Sequence, residues 1–407
     1  MTTEPLLRTA ARDTTAGAIV AVLLVPQSMA YAMLAGAPPE LGLYAAALPL
    51  LVYAMLGSSK HLSVGPVSIL SLLAFAGVGA LSERTEISHA SLLPALSMCV
   101  GALLLLFGAL RIGRWLDRID RSVIHGFMSA AGIVICMQQI GALTGIALPR
   151  EERALALLPA IVGGLGMAHL PTIAVGLFGL AALFALHKAL PIALGPLAVL
   201  LVSAAATKRF GLDRLGVDIV GDVPAGLPAL NWDVPPLGTA IDLLPTALAI
   251  AAIAYFESYA VAASIAAQAG YRLRANRELF ALGAANVASS LVGSLPVAGA
   301  MSRSAVNFAS GARTKLAGAI SAGLATATIL YATQLLYYIP KAAMAAVIVF
   351  SVSRMIDWRS LASREHRGIR EFAVMLLTFA ATLTIGVIHG LLVGIAASLA
   401  RVPRKKR

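Results

Sequence analysis

Charge is what this sequence has least of. Only 12% of its 407 residues are Asp, Glu, Lys or Arg, against roughly 25% in a soluble domain. With 59% hydrophobic residues and a mean hydropathy of +0.86, that scarcity excludes an ordinary water-soluble fold and indicates a polytopic, all-α membrane protein. Cysteine is nearly absent too: Cys99 and Cys136 both fall in apolar runs and read as core residues, not as a disulfide. Histidines show no ligand spacing, with His89, His125, His169, His187, His366 and His389 scattered, so no metal site is expected. There is no Gly-rich nucleotide loop, nucleophile elbow or paired-carboxylate motif. The sequence therefore carries no sign of an enzyme or of a cofactor, and ATP-driven transport would need a partner chain. The net charge of +12 does not call for nucleic acid, because its distribution has a simpler cause.

That cause is topology. The chain divides into two sets of seven hydrophobic elements. The first set is 14–35, 40–56, a half-span 66–80, 90–110, 122–148, 170–186 and 190–207; the second is 239–269, 278–292, a half-span 302–311, 316–336, 342–356, 372–387 and 388–402. The first run passes into Pro26-Gln27 without a small-residue cleavage site and reads as a retained helix, not a signal peptide. Segment 152–168 reads as a lipid-surface or re-entrant piece, and 208–238 as a polar external loop. An odd number of spans per repeat forces the halves, 1–207 and 239–407, into opposite orientations. With the N-terminus inside, the cytoplasmic loops hold 22 of the 31 Lys and Arg residues, as the positive-inside rule requires of a protein with both termini cytoplasmic. A bacterial-type inner membrane is the expected location, and the basic end Arg401–Arg407 would clamp to the membrane surface or link to something further.

Two interruptions stand out. Gly293–Gly311 is broken by Gly and Pro, and carries Arg303 in otherwise apolar surroundings. Ser302 can cap a helix that Gly311 ends about two turns later, too short for the ~20 residues a bilayer takes. Such a half-helix would present unpaired N–H donors, a positive dipole end and a guanidinium at mid-membrane. Gly57–Ser71 repeats the pattern, with Pro66 suited to the first helical position. Paired Gly/Pro-interrupted segments in corresponding positions are the sequence mark of a transporter's substrate site.

Residues 26–71 then carry a resemblance. Pro26-Gln27-Ser-Met-Ala-Tyr31, Pro39-Glu-Leu-Gly42-Leu-Tyr44 and Gly57-Ser-Ser59-Lys60-His61-Leu-Ser-Val-Gly65-Pro66 are similar to the sulfate permease (SulP) family of anion transporters. Glu257, Asn276-Arg-Glu278, Gly283-Ala-Ala-Asn286 and Ser302-Arg303-Ser304-Ala-Val-Asn307 agree. The resemblance covers essentially the whole chain. It implies a seven-plus-seven inverted repeat, a core domain moving against a gate domain that makes homodimer contacts, and two half-helices whose N-termini face each other across the substrate. The family usually continues into a cytoplasmic STAS domain, which this sequence does not include.

Each candidate residue also has a bland reading. Arg303 would attract the anion, or else hold two helices together by pairing with Glu257. Glu257, in Tyr255-Phe-Glu-Ser-Tyr259, repels an anion unless protonated or paired, so it would carry a coupled proton or act as a structural partner. Gln27 and Tyr31, four apart on one helical face, match family positions that touch substrate, or make ordinary helix contacts. Val67 and Ser68 begin one half-helix, and Ala300, Met301 and Ser302 lead into the other; there the backbone N–H groups matter more than the side chains. Lys60 would snorkel or cap a helix end. The expected function is alternating-access, proton-coupled symport of a divalent anion, a small dicarboxylate such as fumarate or else sulfate. The alternatives are an uncoupled or exchanging carrier for bicarbonate or chloride, an anion channel, or a non-transporting membrane enzyme or scaffold.

Overall fold

The computed structural model describes residues 6–85, 87–111, 121–149, 153–189, 194–231, 235–358, 361 and 368–399. The helices are α1 (Leu6–Leu34), α2 (Pro39–Leu56), α3 (Ser68–Thr85), α4 (His89–Ala109), α5 (Arg121–Thr144), α6 (Ala154–Gly164), α7 (Leu170–Ala189) and α8 (Leu194–Phe210) in the first half. The second half supplies α9 (Leu237–Ala269), α10 (Ala275–Leu291), α11 (Met301–Ala309), α12 (Leu316–Tyr331), α13 (Lys341–Ser353), α14 (Ile369–Ile385) and α15 (Val387–Leu399). Six of them, α1, α2, α4, α5, α7 and α9, are long and apolar enough to cross a membrane by length and composition. Local chemistry accounts for several boundaries. Pro39 opens α2 with Glu40 in its first turn, where a missing N–H is harmless and an acid meets the positive helix end. Gly270, at φ +72, closes α9 by donating its N–H to Ala266 O.

The helices pack in two groups. In one, α1, α2, α3 and α4 interleave with α9, α10, α11 and α12; the tightest pairings are α4 with α10 and α1 with α12. In the other, α5, α6, α7 and α8 pack with α13, α14 and α15, chiefly through α5 against α13 and α14. Contacts between the groups are sparser and run through α1 with α13 and α8, and α3 with α5 and α15. The loop after α8 is fastened to the second half: Val220 N donates to Ile339 O (2.9 Å) and Asn231 N to Leu291 O (2.7 Å).

Several sequence expectations need adjustment. α1 begins at Leu6, not near Thr14, which brings Asp13 into a helix where it is fully buried. α3 runs 18 residues, longer than the expected half-span 66–80, because Leu81–Thr85 continues the helix without a breaker. The expectation that 152–168 lies at the lipid surface or re-enters is not contradicted: its described residues form the short helix α6 and a 3₁₀ turn at Leu165–Met167, with Leu155, Leu158, Val162, Leu165 and Met167 exposed. Cys99 and Cys136 are free thiols, half-buried.

Candidate functional site

The two interrupted segments meet. β1 (Val64–Gly65) pairs antiparallel with β2 (Ala298–Gly299), Val64 opposite Gly299 and Gly65 opposite Ala298. Antiparallel strands that each run on into a helix bring two helix N-termini together and send the helices apart. The start of α3 and the start of α11 therefore face one another, with their N–H groups and positive dipole ends directed at one place.

Close approach explains the two glycines of this ladder. A Cβ on Gly65 would lie 3.2 Å from Arg303 Nη2, and one on Gly299 would lie 2.6 Å from Leu62. Side chains elsewhere hold the lead-ins in place. Asn286 on α10 clasps Val297, donating to its carbonyl (3.0 Å) and accepting from its N–H (2.9 Å). Ser258 Oγ accepts the Gly299 N–H at 2.8 Å, tying the α9 turn that bears Glu257 to the ladder. Ser63 N donates to Ser304 Oγ (3.0 Å), Ala300 N to Ser63 O (3.0 Å) and Asn307 Nδ2 to His61 O (3.0 Å). None of these partners could be read from sequence. Asn286 and Asn307 stand in the motifs that carry the family resemblance, and all three of Asn286, Ser258 and Asn307 are polar residues in apolar runs, a signal that marks the residues but not their partners.

Arg303 is fully buried. Its Nη1 donates to Gln27 Oε1 (3.3 Å) and its Nη2 to the Pro66 carbonyl (3.1 Å), while Nε is enclosed without a hydrogen-bond partner. Glu257 is half-buried, and its Oε2 is likewise enclosed and unpartnered. The two side chains are electrostatic neighbours without a direct salt bridge between them. Tyr31 is buried with Ser68, Ser351, Arg303 and Glu257 as its electrostatic neighbours. Ser68 Oγ also contacts Met355 Sδ at 3.7 Å, so this corner of the site touches the second helix group. Gln27, Tyr31, Val67, Ser68, Ala300 and Arg303 are thus brought together and buried; Met301 and Ser302, at the tip of α11, are exposed.

Three expectations are corrected. Ser302 does not cap α11: the cap position is Ala300, without a side-chain bond. Ser304 Oγ, inside the helix, donates back to the Ala300 carbonyl (2.7 Å), which is not a cap. Pro66 is not the first residue of α3, which begins at Ser68; Pro66 stands just outside and offers its carbonyl to Arg303. Lys60 caps no helix. It is exposed, with Nζ over the Tyr271 ring, 5.5 Å from the centroid. Among the described residues, no group of three His, Cys, Asp or Glu side chains could hold a metal.

This architecture has known counterparts. A profile of the sulfate permease family matches residues 11–378. The chain is 36% identical over 399 residues to the chloroplastic sulfate transporter 4.1 of Arabidopsis thaliana, covering 96% of this chain and 58% of that protein. It is 34% identical over 395 residues to a probable sulfate transporter of Mycobacterium tuberculosis, covering 97% and 70%. Among solved structures, the murine solute carrier 26 member A9 anion transporter aligns with a TM-score of 0.89 at 21% identity, over 98% of this chain and 68% of that one. The transmembrane domain of the cyanobacterial bicarbonate transporter BicA aligns with a TM-score of 0.83 at 24% identity, over 98% and 99%. These two likenesses speak for the fold. The match along residues 11–378 speaks for descent: the chain belongs to the sulfate permease family.

Proposed function

We propose that this chain is a secondary active anion transporter that works by alternating access and moves a divalent anion together with a proton. One observation carries the reading: a buried guanidinium nitrogen and a buried carboxylate oxygen, both unpartnered, flank the two facing helix N-termini. The donors suit an anion; the unpaired carboxylate suits a proton. The anion docks between the starts of α3 and α11, taking N–H groups around Val67, Ser68, Met301 and Ser302, beside Ala300, whose own N–H is held by Ser63 O. Arg303, oriented by Gln27, adds positive charge, and Tyr31 packs beside it. Glu257 takes up a proton before or with the anion, which removes the repulsion a carboxylate would otherwise exert there.

The helix grouping supports the movement. The first group is joined by many tight pairings, its contacts with the second are sparse, and the site lies at that boundary. The first group acts as the core and carries the anion past the second, the gate, which also makes the homodimer contact. In this reading the chain is an inverted repeat of 1–207 and 239–407 joined by the external loop 208–238, set in a cell inner membrane with both termini cytoplasmic. The curated relatives named above are sulfate transporters, which favours sulfate among divalent anions; a small dicarboxylate satisfies the same donors.

The deciding experiment is uptake of radiolabelled sulfate, fumarate, bicarbonate and chloride into proteoliposomes, with and without an inward proton gradient, for wild type and Glu257→Gln. Gradient-driven accumulation of a divalent anion that Glu257→Gln abolishes is the expected result. Flux that ignores pH, or that needs an anion on the opposite side, would establish an exchanger or uniporter.

A further inference from the structure

We propose that a second anion site, for a phosphate-bearing group, lies at the membrane surface between the end of α4 and the start of α10. A concave pocket of about 490 Å³ is lined there by Arg111, Arg274, Ala275, Asn276 and Arg277. Its three arginines are exposed, and among the described residues none of them forms an ion pair. The acid nearest Arg274 and Arg277 along the chain, Glu278, is fully buried; those that follow Arg111, Asp117 and Asp120, lie outside the described residues. Glu278 is saturated by Ser58 N (2.6 Å), Ser58 Oγ (2.6 Å), Ser59 N (3.1 Å) and the Tyr53 hydroxyl. It therefore cannot turn outward to neutralise them.

Like charges gathered around a concavity repel unless an anion joins them. Arg277 uses only Nε inside the protein, donating to Leu56 O at 2.7 Å, which leaves its terminal nitrogens for a ligand. The start of α10 lines the same pocket; Arg274 N is taken by Ser58 Oγ and Arg277 N by Arg274 O, so the positive helix end is represented there by the N–H groups of Ala275 and Asn276. The positive field reaches the neighbouring side chains: Lys315, just ahead of α12, is held below its ordinary pKa by partial burial first and by Arg277 second.

The depth fits a headgroup. Arg277 and Lys315 both cap the end of α2, Lys315 Nζ reaching Met55 O at 3.3 Å. The pocket is therefore level with the ends of membrane-length helices α2 and α4, where the bilayer turns polar. Guanidinium forks match the oxygens of a phosphate, which an anionic phospholipid or free phosphate can supply. The transport site is a different place, enclosed at Arg303.

The test uses the full chain in nanodiscs of phosphatidylcholine alone or doped with phosphatidylglycerol. Retained lipid is read by native mass spectrometry, and inorganic phosphate binding by calorimetry in the undoped discs. The double variant Arg111→Gln/Arg274→Gln leaves the Arg277–Leu56 bond intact, and should weaken binding roughly 25-fold, about fivefold per arginine. Arg274→Lys should retain most of it. Selective retention of phosphatidylglycerol identifies a lipid headgroup as the occupant; binding of inorganic phosphate in undoped discs identifies the soluble ion. Equal binding of both probes by wild type and double variant overturns the proposal. So does loss of the signal in Arg303→Gln, which would trace it to the transport site.

Discussion

Arg303 Nη2 donates to the Pro66 carbonyl across 3.1 Å, so a residue of the second half of the chain holds the entrance to a helix of the first. The same guanidinium reaches Gln27 on α1. Three segments distant in sequence therefore converge on one planar group.

Arg303→Lys tests whether charge alone suffices. An ammonium is a point charge and cannot reproduce a fork that spans Gln27 and Pro66 while presenting a third nitrogen. A hydrogen bond to a charged group contributes about 1.5–3 kcal/mol, so uptake in proteoliposomes should fall about tenfold or more. Uptake equal to wild type would mean that only the charge matters.

Glu278 offers a test of the fold. Its carboxylate joins the first turn of α10 to the end of α2 through four hydrogen bonds, from two backbone and two side-chain donors. Glu278→Ala strands the Ser58 and Ser59 N–H groups and the buried Tyr53 hydroxyl, each at a cost of about 1–3 kcal/mol. Little folded protein should then survive detergent extraction and size-exclusion chromatography. Glu278→Gln keeps the oxygen that accepts from Ser58 and Ser59 and turns the one facing Tyr53 into an amide donor, which the Tyr53 hydroxyl can accept; it should yield folded protein with a lowered melting temperature.

How much of this was legible in the sequence depends on the range of the interaction. Helix α11 could be placed within a residue or two, since Gly311, at φ +87, and the apolar periodicity are local signals. That Arg303 and Pro66 belong to one site followed from the matched interruptions. What the sequence hid were choices between neighbouring partners. Ser302 reads as the cap, but the helix already starts at Met301, and the serine that engages the backbone is Ser304, one turn in, which donates to Ala300 O and accepts from Ser63 N, over two hundred residues away. Glu278 was visible only as part of the Asn276-Arg-Glu278 motif, because its partners lie on the other half of the chain. Asp13 was assigned to a loop, since a charge at the edge of an apolar run usually ends the span.

Gly299→Ala probes the ladder that brings the two helix starts together. The new Cβ would fall 2.6–2.8 Å from three atoms of Leu62, itself buried, so one of the two lead-ins must shift. Overpacking of this kind costs about 1–3 kcal/mol, and here the displacement falls on the donors proposed for the anion. Sulfate uptake should show a raised KM. Gly163→Ala, where an added Cβ meets nothing within 4 Å, is the matched control and should behave as wild type.

Asp13 fastens the far end of the half-helix. Its carboxylate accepts from Arg313 N (2.6 Å), Thr314 N (3.1 Å) and Thr314 Oγ1 (2.5 Å), so the turn after α11 is bound to α1, the helix that also bears Gln27 and Tyr31. If α1 and α11 move as one body, this clasp is part of what unites them. Asp13→Asn retains a carbonyl for the two N–H donors, and Thr314 can rotate to accept from the amide. It should lose about 1 kcal/mol of stability and little transport. Asp13→Leu leaves two N–H groups and a hydroxyl without partners and should lose several times more. The two variants are ranked by thermal unfolding in detergent beside uptake at saturating sulfate. Equal melting temperatures for Asn and Leu would show that the carboxylate does not hold the turn, and that α11 is positioned by the ladder at its other end alone.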